Sequence, residues 1–243
     1  MIEFETFCFL QNHKTGCSFI EAFLRQHCSE DLVRYEKHRA LRTRRAGKFH
    51  FVGVREPLDA YLSLFNYGLD GQGEIFARLH AAGLAGSHYA AGIDGFAGWL
   101  DLLLDPERGA AFYPPGCKAV AGRGGLLTAR FLRLAIPGWE QDPSDDWRER
   151  LAGPDAVDSV LRHETLVAQM QALVGGPLRH AFADSARAQA WLAEAPRVNA
   201  SRRRDRGAAP RLPTALRARL AERERLLYDV FYPGHRPDAT EGQ

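Results

Sequence analysis

Residues 7–19 read FCFLQNHKTGCSF, and the fold follows from how this stretch is read. Phe7 to Leu10 is a continuous apolar run with two aromatics, the pattern of a strand buried on both faces of a parallel sheet. The spacing predicts a strand over Glu5–Gln11. Polar residues follow at once, and then Lys14-Thr15-Gly16-Cys17-Ser18. From Gly16 to His27, Phe19, Ile20, Phe23 and Leu24 keep helical spacing. Strand, tight glycine-containing turn and helix start together make a geometry that receives anions. The first N–H groups of a helix have no partner within it, and its dipole favours negative charge there. Lys14 adds a mobile positive charge, and Thr15, Cys17 and Ser18 add short side chains. The stretch is not a Walker A sequence, because its lysine precedes the glycine. An ordinary strand-to-helix turn with an exposed lysine would have the same composition.

The neighbouring segments extend an alternating pattern. Asp31–Tyr35 suits a short strand, and Glu36–Gly47 is basic and polar. Lys48–Val54, KFHFVGV, is a second aromatic and β-branched strand. It ends at Arg55-Glu56-Pro57, where Pro57 suits the first position of a helix carrying Leu58, Tyr61, Leu62 and Phe65 on one face. This order predicts α/β architecture around a parallel sheet. Gly68–Gly95 reads as a loop or a lid-like excursion, Phe96–Leu104 as a helix, and Glu107–Gly125 and Pro137–Gly153 as loops. Thr128–Ala135 fits either class of element. Ala156–Arg162 reads as a later strand leading into a helix through Val174. Ala186–Ala193 reads as a helix, Arg197–Arg211 as a basic loop, and Pro213 opens a terminal helix that ends near Tyr232.

Composition sets the limits. The chain has 243 residues, 45% apolar and 26% charged, which is ample for a core and predicts one domain over 1–243. A net charge of +2 is too small to imply nucleic acid by itself. None of Cys8, Cys17, Cys28 and Cys117 has zinc-pair spacing, so a reduced, cytoplasmic chain is expected. No apolar run approaches the ~18 residues of a membrane span, so stable membrane insertion is not expected.

A second stretch, VREPLDAYLS, sets Arg55 at the carboxyl end of a strand and Ser63 almost two turns into the next helix. Open α/β sheets bind ligands at that end, and an arginine fork with a hydroxyl can hold a phosphate. A salt-bridged arginine and a surface serine would read the same way. Taken together, KTGCS, VREPLDAYLS, RHETL and VNASRRRD followed by a helix and YDVFY resemble the sulfotransferases that use 3′-phosphoadenosine 5′-phosphosulfate (PAPS), the carbohydrate-type members in particular. The resemblance spans positions 6 to 232. It departs from the family at His13, where proline is usual, and at Cys17, where a hydroxyl residue is common.

The resemblance implies a P-loop NTPase-like three-layer fold, a central parallel sheet flanked by helices. It implies sulfuryl transfer from PAPS to a hydroxyl acceptor, a carbohydrate or glycoconjugate above all, without a metal. Lys14 would stabilise charge on the leaving phosphate. Thr15, Gly16, Cys17 and Ser18 would cradle the 5′-phosphate. Arg55 and Ser63 would hold the 3′-phosphate, with one or more of Arg202, Arg203 and Arg204 closing over it. His38 is the first candidate for the base that takes the acceptor proton, with Glu36 and His13 as alternatives. A P-loop kinase of a small metabolite competes as an enzyme, and a nucleotide- or nucleic-acid-binding protein as a non-enzyme. The arginine clusters lack the interleaved aromatics of a single-strand groove, so no nucleic-acid partner is expected.

Overall fold

A computed structural model describes residues 1–141, 146–194 and 212–237. These residues gather into two compact units. The described parts of Met1–Arg55 and Phe131–Ala200 form the first, and those of Glu56–Arg130 and Ser201–Gln243 the second.

The first unit is an α/β layer. Its strands are β1 (Ile2–Glu3), β2 (Phe7–Leu10), β3 (Arg34–Tyr35), β4 (Phe49–Val54) and β5 (Ser159–Arg162). They form one sheet in the order β3-β1-β2-β4-β5. The expected wholly parallel sheet is corrected here to a mixed one. β2 pairs with β4, and β4 with β5, in parallel, whereas β1 pairs antiparallel with both β2 and β3. The reason is the connection. β1 and β2 are separated by only three residues, too few for the crossover that a parallel pair requires.

Helices α1 (Cys17–His27), α8 (Leu166–Gly175) and α9 (Ser185–Glu194) belong to this unit. They and the sheet bury one core, in which Phe7, Phe9, Phe51, Phe23 and Met170 are fully enclosed. Phe9 stacks on Phe51 across the central strands at 5.0 Å between ring centroids. That arrangement suits the aromatic-rich sequences of both strands, because cross-strand aromatic pairs stabilise a sheet face.

The second unit is helical. It holds α2 (Pro57–Leu69), α3 (Glu74–Ala81), α4 (Ala85–His88), α5 (Ile93–Leu104), α10 (Thr214–Arg223) and α11 (Arg225–Phe231). Helix α6 (Leu126–Ala135) runs across the division between the units, and the short α7 (Trp147–Ala152) returns to the first. Two expectations are corrected here. Gly68–Gly95 is not loop but carries α3 and α4. The terminal helix is two helices meeting at Glu224. Tyr61, Phe65, Phe96 and Trp99 anchor the core of this unit, with Phe65 and Trp99 5.5 Å apart. Among the described residues, no helix is long and apolar enough to cross a membrane.

Candidate functional site

The loop between β2 and α1 is built from the inside outward. Asn12 is buried, and its Nδ2 donates to the carbonyl of Gly53 on β4 at 3.0 Å. Its Oδ1 accepts from the main-chain N–H of His13 at 2.9 Å. Thr15 is buried beneath the loop, and its hydroxyl donates to the carbonyl of Asn12 at 3.0 Å. The Thr15 hydroxyl is therefore engaged in holding the loop's own shape. Arg55, at the carboxyl end of β4, donates from Nη1 to the carbonyl of Lys14 at 3.1 Å. Three side chains thus tie the turn together and fix it to the neighbouring parallel strand.

The backbone of the turn is unusual. Lys14 has φ 61° and Gly16 has φ 84°, both left-handed. Non-glycine residues rarely adopt that conformation, and departures of this kind cluster at ligand sites. Gly16 is the N-cap of α1, and among the described residues no side chain caps the helix there. A Cβ on Gly16 would come within 2.6 Å of Leu166 Cδ2 and 3.3 Å of His163 Nδ1. His163, Glu164 and Leu166 of the RHETL stretch lie where β5 turns into α8, and His163 and Leu166 stand directly against the glycine of the loop. Lys14 and Ser18 are half-buried at the opening of this turn. Cys17 instead belongs to the hydrophobic core, and burial pushes its thiol pKa upward.

His38 lies beside the same loop. Its Nδ1 is 2.9 Å from the carbonyl oxygen of Gln11, the first of the loop's polar run. A carbonyl can only accept, so Nδ1 carries the proton and Nε2 carries the lone pair of the neutral ring. The ring of His13 stacks on that of His38, with centroids 3.7 Å apart and planes 16° apart. His38 also has a left-handed backbone, φ 58°. Two of the three candidate bases are thus brought together. Glu36, the third, is held in ion pairs with Arg34 at 3.5 Å and Arg39 at 3.4 Å.

The remaining sequence-derived residues are placed as follows. Ser63 is half-buried in α2, in the second unit. At the start of that helix the Glu56 carboxylate accepts from the N–H groups of Leu58 (3.1 Å) and Asp59 (2.7 Å) and from the Tyr228 hydroxyl (2.7 Å). The N-terminus of α2 is therefore capped by its own chain, whereas that of α1 has no side-chain cap. Arg202, Arg203 and Arg204 lie outside the described residues. Sequence reasoning missed Asn12 and His163. The signal for Asn12 was a polar residue set directly behind an apolar strand, but its partner Gly53 is 41 positions away.

Comparison of the chain with models of known families, with curated proteins and with solved structures finds no match. The chemistry therefore rests on the residues themselves. The loop offers a side-chain-uncapped helix N-terminus, a lysine and a strand-end arginine, with an oriented imidazole nearby, a set suited to an anion and a proton transfer.

Proposed function

We propose that the chain is a PAPS-dependent sulfotransferase of the P-loop type, acting on a hydroxyl acceptor of carbohydrate or glycoconjugate character. One observation carries this reading. The N-terminus of α1, opened by left-handed Gly16 and lacking a side-chain cap, is held against β4 by Asn12 and Arg55. A phosphate fits such an end, because the orphan N–H groups and the helix dipole act on it together.

Bound PAPS would supply the sulfuryl group, whose sulfur–oxygen bond to the phosphate breaks as the acceptor hydroxyl attacks. Lys14 offsets the charge left on that phosphate. The main chain of residues 15–18 orients it, with the Ser18 hydroxyl assisting. His38 takes the acceptor's proton on Nε2, since Nδ1 is committed to Gln11. Such catalysis is mainly positioning and electrostatic stabilisation. Arg55 serves cofactor binding both directly and by bracing the loop through the Lys14 carbonyl. Ser63, Arg202, Arg203 and Arg204 enter this reading through the sequence resemblance alone.

The test is calorimetric titration of 3′-phosphoadenosine 5′-phosphate beside ATP and ADP, without magnesium. Preferential binding of the 3′-phosphorylated nucleotide, weakened in Arg55→Ala, is the expected result. No binding, or a preference for magnesium-ATP, overturns the reading and favours a kinase.

A further inference from the structure

Among the described residues, one edge of the sheet is open. β3 is the terminal strand of the order β3-β1-β2-β4-β5 and pairs with β1 alone. In that pairing Tyr35 stands opposite Ile2, while Met1 and Glu36 exchange both main-chain bonds. Bonded and non-bonded pairs alternate along an antiparallel ladder, so Tyr35 holds a non-bonded position against β1. Its N–H and C=O therefore face away from β1, toward the open edge. The Tyr35 ring is already fixed against α1. Its hydroxyl donates to Glu21 at 3.2 Å, and the Arg25 guanidinium lies 4.6 Å from the ring centroid.

The surface around this position is apolar. Leu32, Val33 and Tyr35 are 42%, 57% and 40% exposed. Among the described residues, three of the eight exposed large apolar side chains thus fall within positions 32–35. Single exposed apolar residues are ordinary, but a cluster beside an open strand edge marks an interaction surface. Charges of one sign on an edge would repel a second copy. Here the charges that flank Tyr35 have opposite signs, Arg34 and Glu36, and both are exposed. They lie 3.5 Å apart in one chain, at the surface, where each can take a second partner.

We infer that β3 is a homodimerisation edge, on which two copies pair antiparallel about a two-fold axis at Tyr35. In this register Tyr35 faces the partner's Tyr35, and the outward N–H and C=O of each are satisfied by the other. Arg34 stands opposite the partner's Glu36, and Glu36 opposite the partner's Arg34. Opposite charges directly across a ladder stabilise it, and like charges destabilise it. Arg34-Tyr35-Glu36 is thus its own complement under a two-fold, which selects a second copy of this chain as the occupant. β3 is only two residues long, so the added ladder is short and Leu32 and Val33 supply the apolar area beside it. The two five-stranded sheets become one continuous sheet. The inference uses no residue of the nucleotide loop and holds whatever that loop binds.

The experiment is sedimentation equilibrium of the full chain over a range of concentrations. The wild type should show a monomer–dimer equilibrium. Arg34→Glu places carboxylates opposite one another, and Glu36→Arg places guanidinium groups so; each should weaken self-association at least ~10-fold. An equimolar mixture of the two variants should associate again, because each supplies the charge that the other needs. The double variant Arg34→Glu/Glu36→Arg should also dimerise. Recovery in the mixture separates a broken interface from a misfolded chain. Val33→Ser should weaken the dimer, and Val230→Ser, at an exposed apolar position of the second unit, should not. A wild type that stays monomeric, a dimer that persists in both single variants, or a mixture that fails to associate each overturns the inference.

Discussion

Thr15 lies so close to the main chain of Gly53 that a methyl group added there would come within 2.5 Å of the threonine hydroxyl and 2.9 Å of its Cβ. This contact joins the loop to β4 without room for a side chain. Gly53→Ala should therefore destabilise the chain by about 1–3 kcal/mol, the usual cost of overpacking. Thr15→Ala removes the nearer atom but also the bond to the Asn12 carbonyl. Combined, the two substitutions should cost less than their sum, because one relieves the crowding made by the other. Urea denaturation of the four species checks this; strict additivity would mean that the loop shifts freely away from β4.

Gly16 and Gly47 separate conformation from crowding. Both are left-handed, with φ 84° and 72°. Around Gly47 nothing stands within 4 Å of an added Cβ, whereas at Gly16 Leu166 and His163 do. Gly47→Ala should cost about 1–2 kcal/mol, the penalty of a left-handed backbone alone. Gly16→Ala should cost more and should also weaken nucleotide binding, which Gly47→Ala should not. Equal losses of stability in the two variants would show that the RHETL stretch does not press on the loop.

The parts of this architecture that the sequence discloses are those with strong local signals. β2 and β4 are apolar runs, and α1 repeats Phe19, Ile20, Phe23 and Leu24 on one face. The missed elements lack that density. β1 is two residues long, too short for any periodicity. Helix α3 buries only Ile75 and Leu79, a single pair at i and i+4, within a glycine-rich stretch. In the candidate site, the order of Lys14, Gly16 and Arg55 along the chain was legible. The inward turn of the Thr15 hydroxyl, the bond from Asn12 to Gly53 and the stacking of His13 on His38 were not. Each depends on a partner brought near by the sheet or by a reversal of the chain.

The orientation of His38 has a direct spectroscopic consequence. With Nδ1 donating to Gln11, the neutral ring must be the Nδ1–H tautomer. Nitrogen-15 spectra of histidine-labelled protein should show a protonated Nδ1 and an unprotonated Nε2 for His38, assigned by its loss in His38→Ala. That variant should keep its affinity for 3′-phosphoadenosine 5′-phosphate within about twofold and lose at least ~100-fold in turnover. An Nε2–H tautomer would remove His38 as the base even if the variant were inactive.

Glu224 offers the last prediction, and it concerns the second unit. The carboxylate is fully buried where α10 meets α11, and it is met by four donors. Tyr61 Oη donates to Oε1 at 2.6 Å and the Leu127 N–H at 3.1 Å, while the Thr128 N–H (2.8 Å) and hydroxyl (2.7 Å) donate to Oε2. Gly125 permits the approach, since a Cβ there would overlap Oε1. A glutamine would turn its NH₂ toward one main-chain N–H in either orientation, leaving a buried donor facing a donor. Glu224→Gln should therefore cost about 1–3 kcal/mol despite removing a charge. Acid changes this comparison in a defined direction. Burial raises the Glu224 pKa above the ordinary glutamate value of 4.5, so the folded state binds more protons than the unfolded state within that window. Stability from this group therefore falls as pH rises through the window and is recovered as pH is lowered toward 4.5. A protonated Glu224 can still satisfy both N–H groups while donating to Tyr61 or Thr128, which the glutamine variant cannot do. The stability gap between wild type and Glu224→Gln should widen as pH is lowered from above the raised pKa toward 4.5 in urea denaturation. A gap that narrows on acidification would mean that the carboxylate is held charged in the core.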